Sequence, residues 1–420
     1  MRAPPTGAFV LAILACGARV QAEGPGGAAP NAPVPNAPVA NVPVANAPVP
    51  NAPPTAALGD AQILGPVDQG LRVESITTRI TSFDQFGHGG QAQGGPTPLA
   101  PGSERATIFE PQVQIDATQG PRLRHRIRVP IDVVTNASAD AIDVVTSASR
   151  HVEAGSIDWA ATYAVDPASE ATILGGIHLE NPFRSWQGGL AGSHAFADGD
   201  TVVSGSLLEV FDWFDRFDIH GTRHGRTNRS TVTASVGVTQ ILTATTIANV
   251  NYGVTVQRGE LGNTWNSVPL TSGDRGPEGL PGERVRHAAV ARVAQFLPWN
   301  AALHVEYRFY ADDWGLIAHS TEAELLQRVS PSLYVGAVYR FHTQNGVDFF
   351  TNLAAPGAAL RTADSDLAPL DSQTVGGRVV LDVPVRSDIR TLHLELGYDR
   401  YFRTNDLHIN VVTCATGYHF

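Results

Sequence analysis

From Leu71 to its last residue the chain alternates. In the stretch 301–310, Leu303, Val305, Tyr307 and Phe309 are apolar, and His304, Glu306 and Arg308 lie between them. Val250, Tyr252, Val254 and Val256 alternate in the same way with Asn249, Asn251, Thr255 and Gln257. Val375, Val379, Leu381 and Val383 oppose Arg378 and Asp382, and Leu392, Leu394, Leu396 and Tyr398 oppose His393, Glu395 and Asp399. Leu123, Ile127 and Val129 oppose Arg124, Arg126 and Arg128. Side chains alternate sides along a strand, so this period predicts strands with one greasy and one wet face. The chain closes in the same way, with Val412, Cys414, Thr416, Tyr418 and Phe420 on one face.

The links between these strands alternate as well. Short ones fall at Gln119-Gly120-Pro121, Asp166-Pro167, Asp198-Gly199-Asp200, Thr243-Ala244-Thr245, Pro298-Trp299-Asn300, Ser330-Pro331 and Arg386-Ser387-Asp388. Between them lie long ones: 85–104, 136–154, 214–229, 259–282 and 343–371. Short turns on one rim and long loops on the other predict an all-β, antiparallel, up-and-down transmembrane barrel of about 16 strands, within a range of about 14–18, with extracellular loops and periplasmic turns. The alternation is faintest in the first strand, in 185–197 and in 201–210. Closure follows from solvation, because an open edge in lipid leaves backbone N–H and C=O groups unpaired at several kcal/mol each. Trp159, Tyr163, Tyr307, Phe309, Tyr339, Phe341, Tyr398 and Tyr418 lie near strand ends on the apolar side, where an amphipathic ring suits the headgroup layer.

Composition narrows the picture. Only 16% of the 420 residues are charged, and the net charge of −11 argues against nucleic acid as a partner. Every basic side chain besides histidine is arginine. The two cysteines, Cys16 and Cys414, frame neither a disulfide scaffold nor a thiolate metal site. Arg2, the apolar run Ala8 to Ala18 and Val20-Gln21-Ala22 read as an export signal over 1–22. A proline-rich five-residue repeat begins at Asn31, so 23–70 reads as an extended periplasmic linker and 71–420 as the barrel. The location implied is the cell outer membrane, with both termini periplasmic. Outer-membrane lipid, lipopolysaccharide and the barrel assembly machinery are the implied partners, with Tyr418 and Phe420 as the assembly signal.

Several segments resemble a bacterial family known as domain of unknown function 3570. They are the doubled Ile131-Asp132-Val133-Val134-Thr135 and Ile142-Asp143-Val144-Val145-Thr146, then Gly237-Val238-Thr239-Gln240-Ile241-Leu242-Thr243. The most specific is the run from Phe296-Leu297-Pro298-Trp299-Asn300 to Asp312-Asp313-Trp314-Gly315, followed by Tyr339-Arg340-Phe341-His342-Thr343-Gln344. The resemblance implies an outer-membrane barrel, and it brings no activity and no catalytic residues with it.

For chemistry, the wet faces offer Arg124, Arg126, Arg128, Arg292, His304, Glu306, Arg308, Glu322, Arg340, Arg378, Asp382 and Glu395 as lumen-facing groups. The arginine ladder 124–128 either lines an anion-preferring pore or pairs across the lumen with Glu306, Glu322, Glu324, Asp382 and Glu395. The acidic stretch Phe211 to His220, with His224, is a candidate metal loop whose spacing matches no established pattern; its default reading is a solvated surface loop. Asp312, Asp313, His319 and Glu322 are a candidate polar cluster in the lumen. His304 and Ser320 are scattered candidates for hydrolysis; no Gly-x-Ser-x-Gly elbow and no paired base and nucleophile are evident. The expectation is therefore a pore or solute-binding barrel for a small polar solute, without cofactor and without catalysis. The alternatives are a barrel enzyme acting on envelope lipid or polymer, and a structural or assembly partner.

Overall fold

The computed structural model describes residues 70–87, 106–135, 151–180, 183–218, 222–262, 267–385 and 391–420. The export signal and nearly all of the linker, the second Ile-Asp-Val-Val-Thr copy, His220 and the link at Arg386 lie outside them. The strands in chain order are β1 (Leu71–Gly87), β2 (Ala106–Gln119), β3 (Leu123–Thr135), β4 (His151–Asp166), β5 (Ser169–Glu180), β6 (Arg184–Phe196), β7 (Thr201–Phe217), β8 (Arg223–Thr243) and β9 (Thr246–Gly259). There follow β10 (Ser267–Pro269), β11 (Arg275–Pro277), β12 (Glu283–Leu297), β13 (Ala301–Asp312), β14 (Ile317–Ser330), β15 (Leu333–Gln344), β16 (Leu370–Pro384), β17 (Thr391–Arg403) and β18 (Leu407–His419).

Sixteen of these close into one antiparallel barrel in which each strand pairs with its neighbours in sequence; β10 and β11 form a separate hairpin between β9 and β12. Closure is made by β1 against β18, with Ile76 opposite Tyr418 and Arg79 opposite Ala415, and the Phe420 amide donates to the Glu74 carbonyl. The faint segments are strands too: they are β1, β6 and most of β7. No helix among the described residues is long and apolar enough to cross a membrane. The barrel crosses with strands.

One expected long loop is absent. Residues 214–217 and 223–229 continue the ladder, and β7 and β8 stay paired up to Phe217 opposite Arg223. The stretch reads as a loop because it is polar, yet its polarity is what holds the hairpin together. Asp212 accepts from Arg229 at 2.7 Å, and Asp215 accepts from Arg223 at 2.6 Å. On the opposite rim the turns are tight, and Asn300 takes the left-handed backbone (φ 62) that the turn before β13 requires.

The greasy rows face outward. Val250, Tyr252, Val305, Tyr307, Val375, Val379, Leu396 and Tyr398 are all exposed, as a lipid-facing surface must be. Toward the long-loop rim, four outward tyrosines share one arrangement. Tyr252 bonds His287 (2.7 Å), Tyr307 bonds His319 (2.7 Å), Tyr339 bonds Gln373 (3.2 Å) and Tyr398 bonds Asn410 (2.9 Å). Each partner lies on the next strand of the barrel, two residues nearer the rim than the residue opposite the tyrosine. The ring thus stays with hydrocarbon and the hydroxyl with the polar layer. Trp159 makes the corresponding contact to His125 (3.4 Å), directed toward the short-turn rim.

Candidate functional site: the lumen and its loop cap

Two walls of the inner face contrast. On β12–β17 it is charged. Arg292 meets Glu306 (2.5 Å), Arg340 meets Glu322 (2.5 Å), His304 meets Glu324 (3.4 Å) and His393 meets Asp382 (2.7 Å). Arg378 bridges Glu324 and Glu395, and Glu395 also faces Arg79 of β1 at 3.6 Å. Glu306 and Glu322 lie directly opposite each other, a like-charge pairing that costs stability, and each is drawn to an arginine on its far side. Arg378 reaches Glu324 by lying across β15 at Gly336, where a Cβ would stand 2.9 Å from the Arg378 Cγ.

On β6–β9 the inner face is neutral over most of its height. Ser206 bonds Ser235 (2.7 Å), Thr233 bonds Thr255 (3.0 Å) and Asn249 bonds Thr239 (2.8 Å). The charged exception is the buried pair of Asp212 and Arg229, where Arg229 stands over the Phe214 ring.

The ladder 124–128 does not pair across the lumen. Arg124 reaches across β4 to Glu170 of β5 (2.7 Å), Arg126 pairs with Asp116 on adjacent β2 (2.7 Å), and Arg128 lies opposite Asp158. A guanidinium spans one or two interstrand spacings of about 4.8 Å each, not the bore of a sixteen-stranded barrel. The acids across the lumen are answered locally instead. Arg308 is different: it has no acceptor among the described residues.

Two other groupings change in the structure. Asp312 and Glu322 are inside, whereas His319 points outward against Tyr307 and Asp313 accepts from the Val285 amide at the rim. Period two separates neighbours that look clustered in the sequence. In the acidic stretch each carboxylate has its own partner, including Asp218 with His224 (2.9 Å), and no metal-holding group of three or more is found among the described residues.

Over the charged wall sits a cap that the sequence does not announce. Residues 267–283 and 344–370, from two loops, join through bridges Leu270–Ala354 and Gly279–Arg361. Thr362, fully buried, donates to Glu278, and Arg361 donates to the carbonyls of Pro277, Pro356 and Ala358. Beneath, Trp314, Leu316, Ala318 and Val347 form an apolar cluster that also packs against Tyr310, Phe349 and Leu367. Asp312 is its polar anchor, accepting from Arg284 (2.5 Å), from Tyr310 (2.8 Å) and from the Trp314 and Leu316 amides. Trp314 covers the Arg284 guanidinium at 4.4 Å. Gly315 takes φ +87, and a Cβ there would strike the Asp348 carboxylate at 2.2 Å. Arg403 ties the second loop to the wall through Asp366 (2.6 Å) and the Ser365 carbonyl (2.8 Å). Arg284, Arg403 and Tyr310 were not singled out by patterning; Arg284 finds its acceptor on the next strand, Arg403 finds its own in the second loop, and Tyr310 bonds Asp312 on its own strand.

Residues 190–410 match the family model described as "Protein of unknown function (DUF3570)". No curated protein matches the chain. Among solved structures, the chain is similar to a BenF-like porin from Pseudomonas fluorescens Pf-5 at 9% identity and TM-score 0.43, over 84% of this chain and 99% of that one. OccK1 (OpdK) of Pseudomonas aeruginosa is similar at 8% identity and TM-score 0.42, with the same coverage. The siderophore receptor PirA of Pseudomonas aeruginosa matches at 11% identity and TM-score 0.39, over 78% of this chain. The chain spans 56% of that receptor's length.

Proposed function

The chain belongs to this family of proteins of unknown function, DUF3570, and from the chemistry of its lumen we propose that it is an outer-membrane pore for small polar solutes. One observation carries the reading: many ion pairs of the inner face are wet. Arg340 and Arg124 are paired, yet 56% and 58% of their side chains stay exposed. On the concave side of a closed barrel that exposure needs water beside them, whereas a packed plug would desolvate both partners. The folded loops pack onto the end of the charged wall through Tyr310 and Trp314, a placement that supports small solutes over polymers.

In this reading the long-loop rim faces outward and the short-turn rim, with both termini, faces the periplasm. Residues 1–22 direct export and 23–70 form the linker. The tyrosine girdle supports contact with lipid and lipopolysaccharide headgroups, and the closing strand with Tyr418 and Phe420 supports recognition by the assembly machinery. Single-channel recording of the full mature chain in planar bilayers tests the pore. Stepwise conductance is expected; folded, inserted protein that gives no steps overturns it.

A further inference from the structure

The inner face holds a hydrogen-bonded chain that a passive pore does not use. Ser320 Oγ lies 2.8 Å from His342 Nδ1, and His342 Nε2 lies 3.1 Å from Gln344 Oε1. The direction of every proton along it is fixed. The Gln344 amide nitrogen donates to the carbonyls of Asp366 (2.9 Å) and Ala368 (2.7 Å), both in the cap loop. Its oxygen must therefore face the imidazole, and an amide oxygen only accepts. His342 then carries its proton on Nε2, Nδ1 keeps its lone pair, and the Ser320 hydroxyl donates to it. A nucleophile, a base and an orienting group are aligned, and the orienting group is set by the loop cap.

A cation completes the arrangement. Arg308 is opposite Ser320 across the β13–β14 ladder and, with Arg340 and Arg403, is close enough to His342 to act on it electrostatically. Arg340 is held by Glu322 and Arg403 by Asp366, which leaves Arg308 as the one of the three with a free fork. Val290, buried and level with Arg308 on β12, offers an apolar floor beside it. A second serine–histidine pair provides a contrast. Ser169 is also 2.8 Å from His194, but Ser169 donates to Asp166 at an exposed turn, so its proton does not point at the imidazole.

We infer that Ser320, His342 and Gln344, with Arg308, form an acyl-transfer site for small water-soluble carboxylic esters that enter the lumen. Ser320 Oγ adds to the ester carbonyl carbon as its proton passes to His342 Nδ1, and the oxyanion develops beside Arg308. The bond from carbon to the alcohol oxygen breaks, and His342 returns the proton to that oxygen. Water then adds to the acyl-serine through the same proton cycle, releasing the acid and restoring Ser320. Gln344 acts as a positioning residue.

The test uses the full chain in detergent micelles, with p-nitrophenyl butyrate as substrate and phenylmethanesulfonyl fluoride as trap. Hydrolysis is expected, with the trap's sulfonyl group located on Ser320 by peptide mass mapping of the unaltered protein. S320A should lower kcat about a hundredfold or more. S169A should leave the rate unchanged, and Q344A should lower kcat while KM stays constant. No hydrolysis by the unaltered protein, an S320A rate equal to it, or no adduct on Ser320 would each overturn the inference. The mapping needs no variant to fold, and conductance plays no part in it.

Discussion

The two walls of the lumen handle polarity in opposite ways. The wall of β12–β17 carries charges in number and leaves many of them wet; Arg340 and Glu322 keep 56% and 28% of their side chains exposed. The wall of β6–β9 is mostly hydroxyl and carboxamide, and its one central ion pair is buried, Arg229 and Asp212 being 5% and 6% exposed. A wet pair contributes little to stability, since water and salt screen it. A buried pair is costly to break, because the survivor is left desolvated and alone. Charge on the first wall is thus left in contact with water, where the proposed solute would meet it, and charge on the second holds the paired β7–β8 hairpin.

The sharpest way to break this comparison is Asp212→Asn, which strands Arg229. It should cost about 3–5 kcal/mol, read from urea unfolding in lipid vesicles. Next is Leu396→Arg, on the outer face of β17, at about 2–4 kcal/mol if it meets the bilayer midplane. Its neighbour Glu395→Gln should be much milder, and equal effects would mean the inner and outer faces are reversed. Smallest is Glu322→Gln, at about 0–1 kcal/mol and shrinking further in high salt. A loss from Glu322→Gln as large as that from Asp212→Asn would erase the distinction between the walls.

Much of this was legible in the residues. The strands 301–312 and 391–403 announced their faces, because a sheet between hydrocarbon and water requires period two. The tyrosine girdle was half legible: Tyr307, Tyr339 and Tyr398 stood out as strand-end aromatics, whereas Tyr252 and the partners His287, His319, Gln373 and Asn410 did not, since each hydroxyl reaches diagonally onto the next strand. Ser320 looked isolated because its base is 22 residues away on β15 and the glutamine's amide donates to carbonyls at 366 and 368.

By itself the sequence determined that the chain is a barrel of alternating strands, about how many there are and which side of each is greasy. Those follow from local periodicity and from the demand that no backbone group meet lipid unpaired. The tertiary structure alone decided which arginine answers which acid, that 214–217 and 223–229 continue a ladder, and that two loops fold together over one wall. Those depend on register and reach: a side chain spans one or two interstrand spacings of about 4.8 Å, so its partner is whatever closure places within that distance.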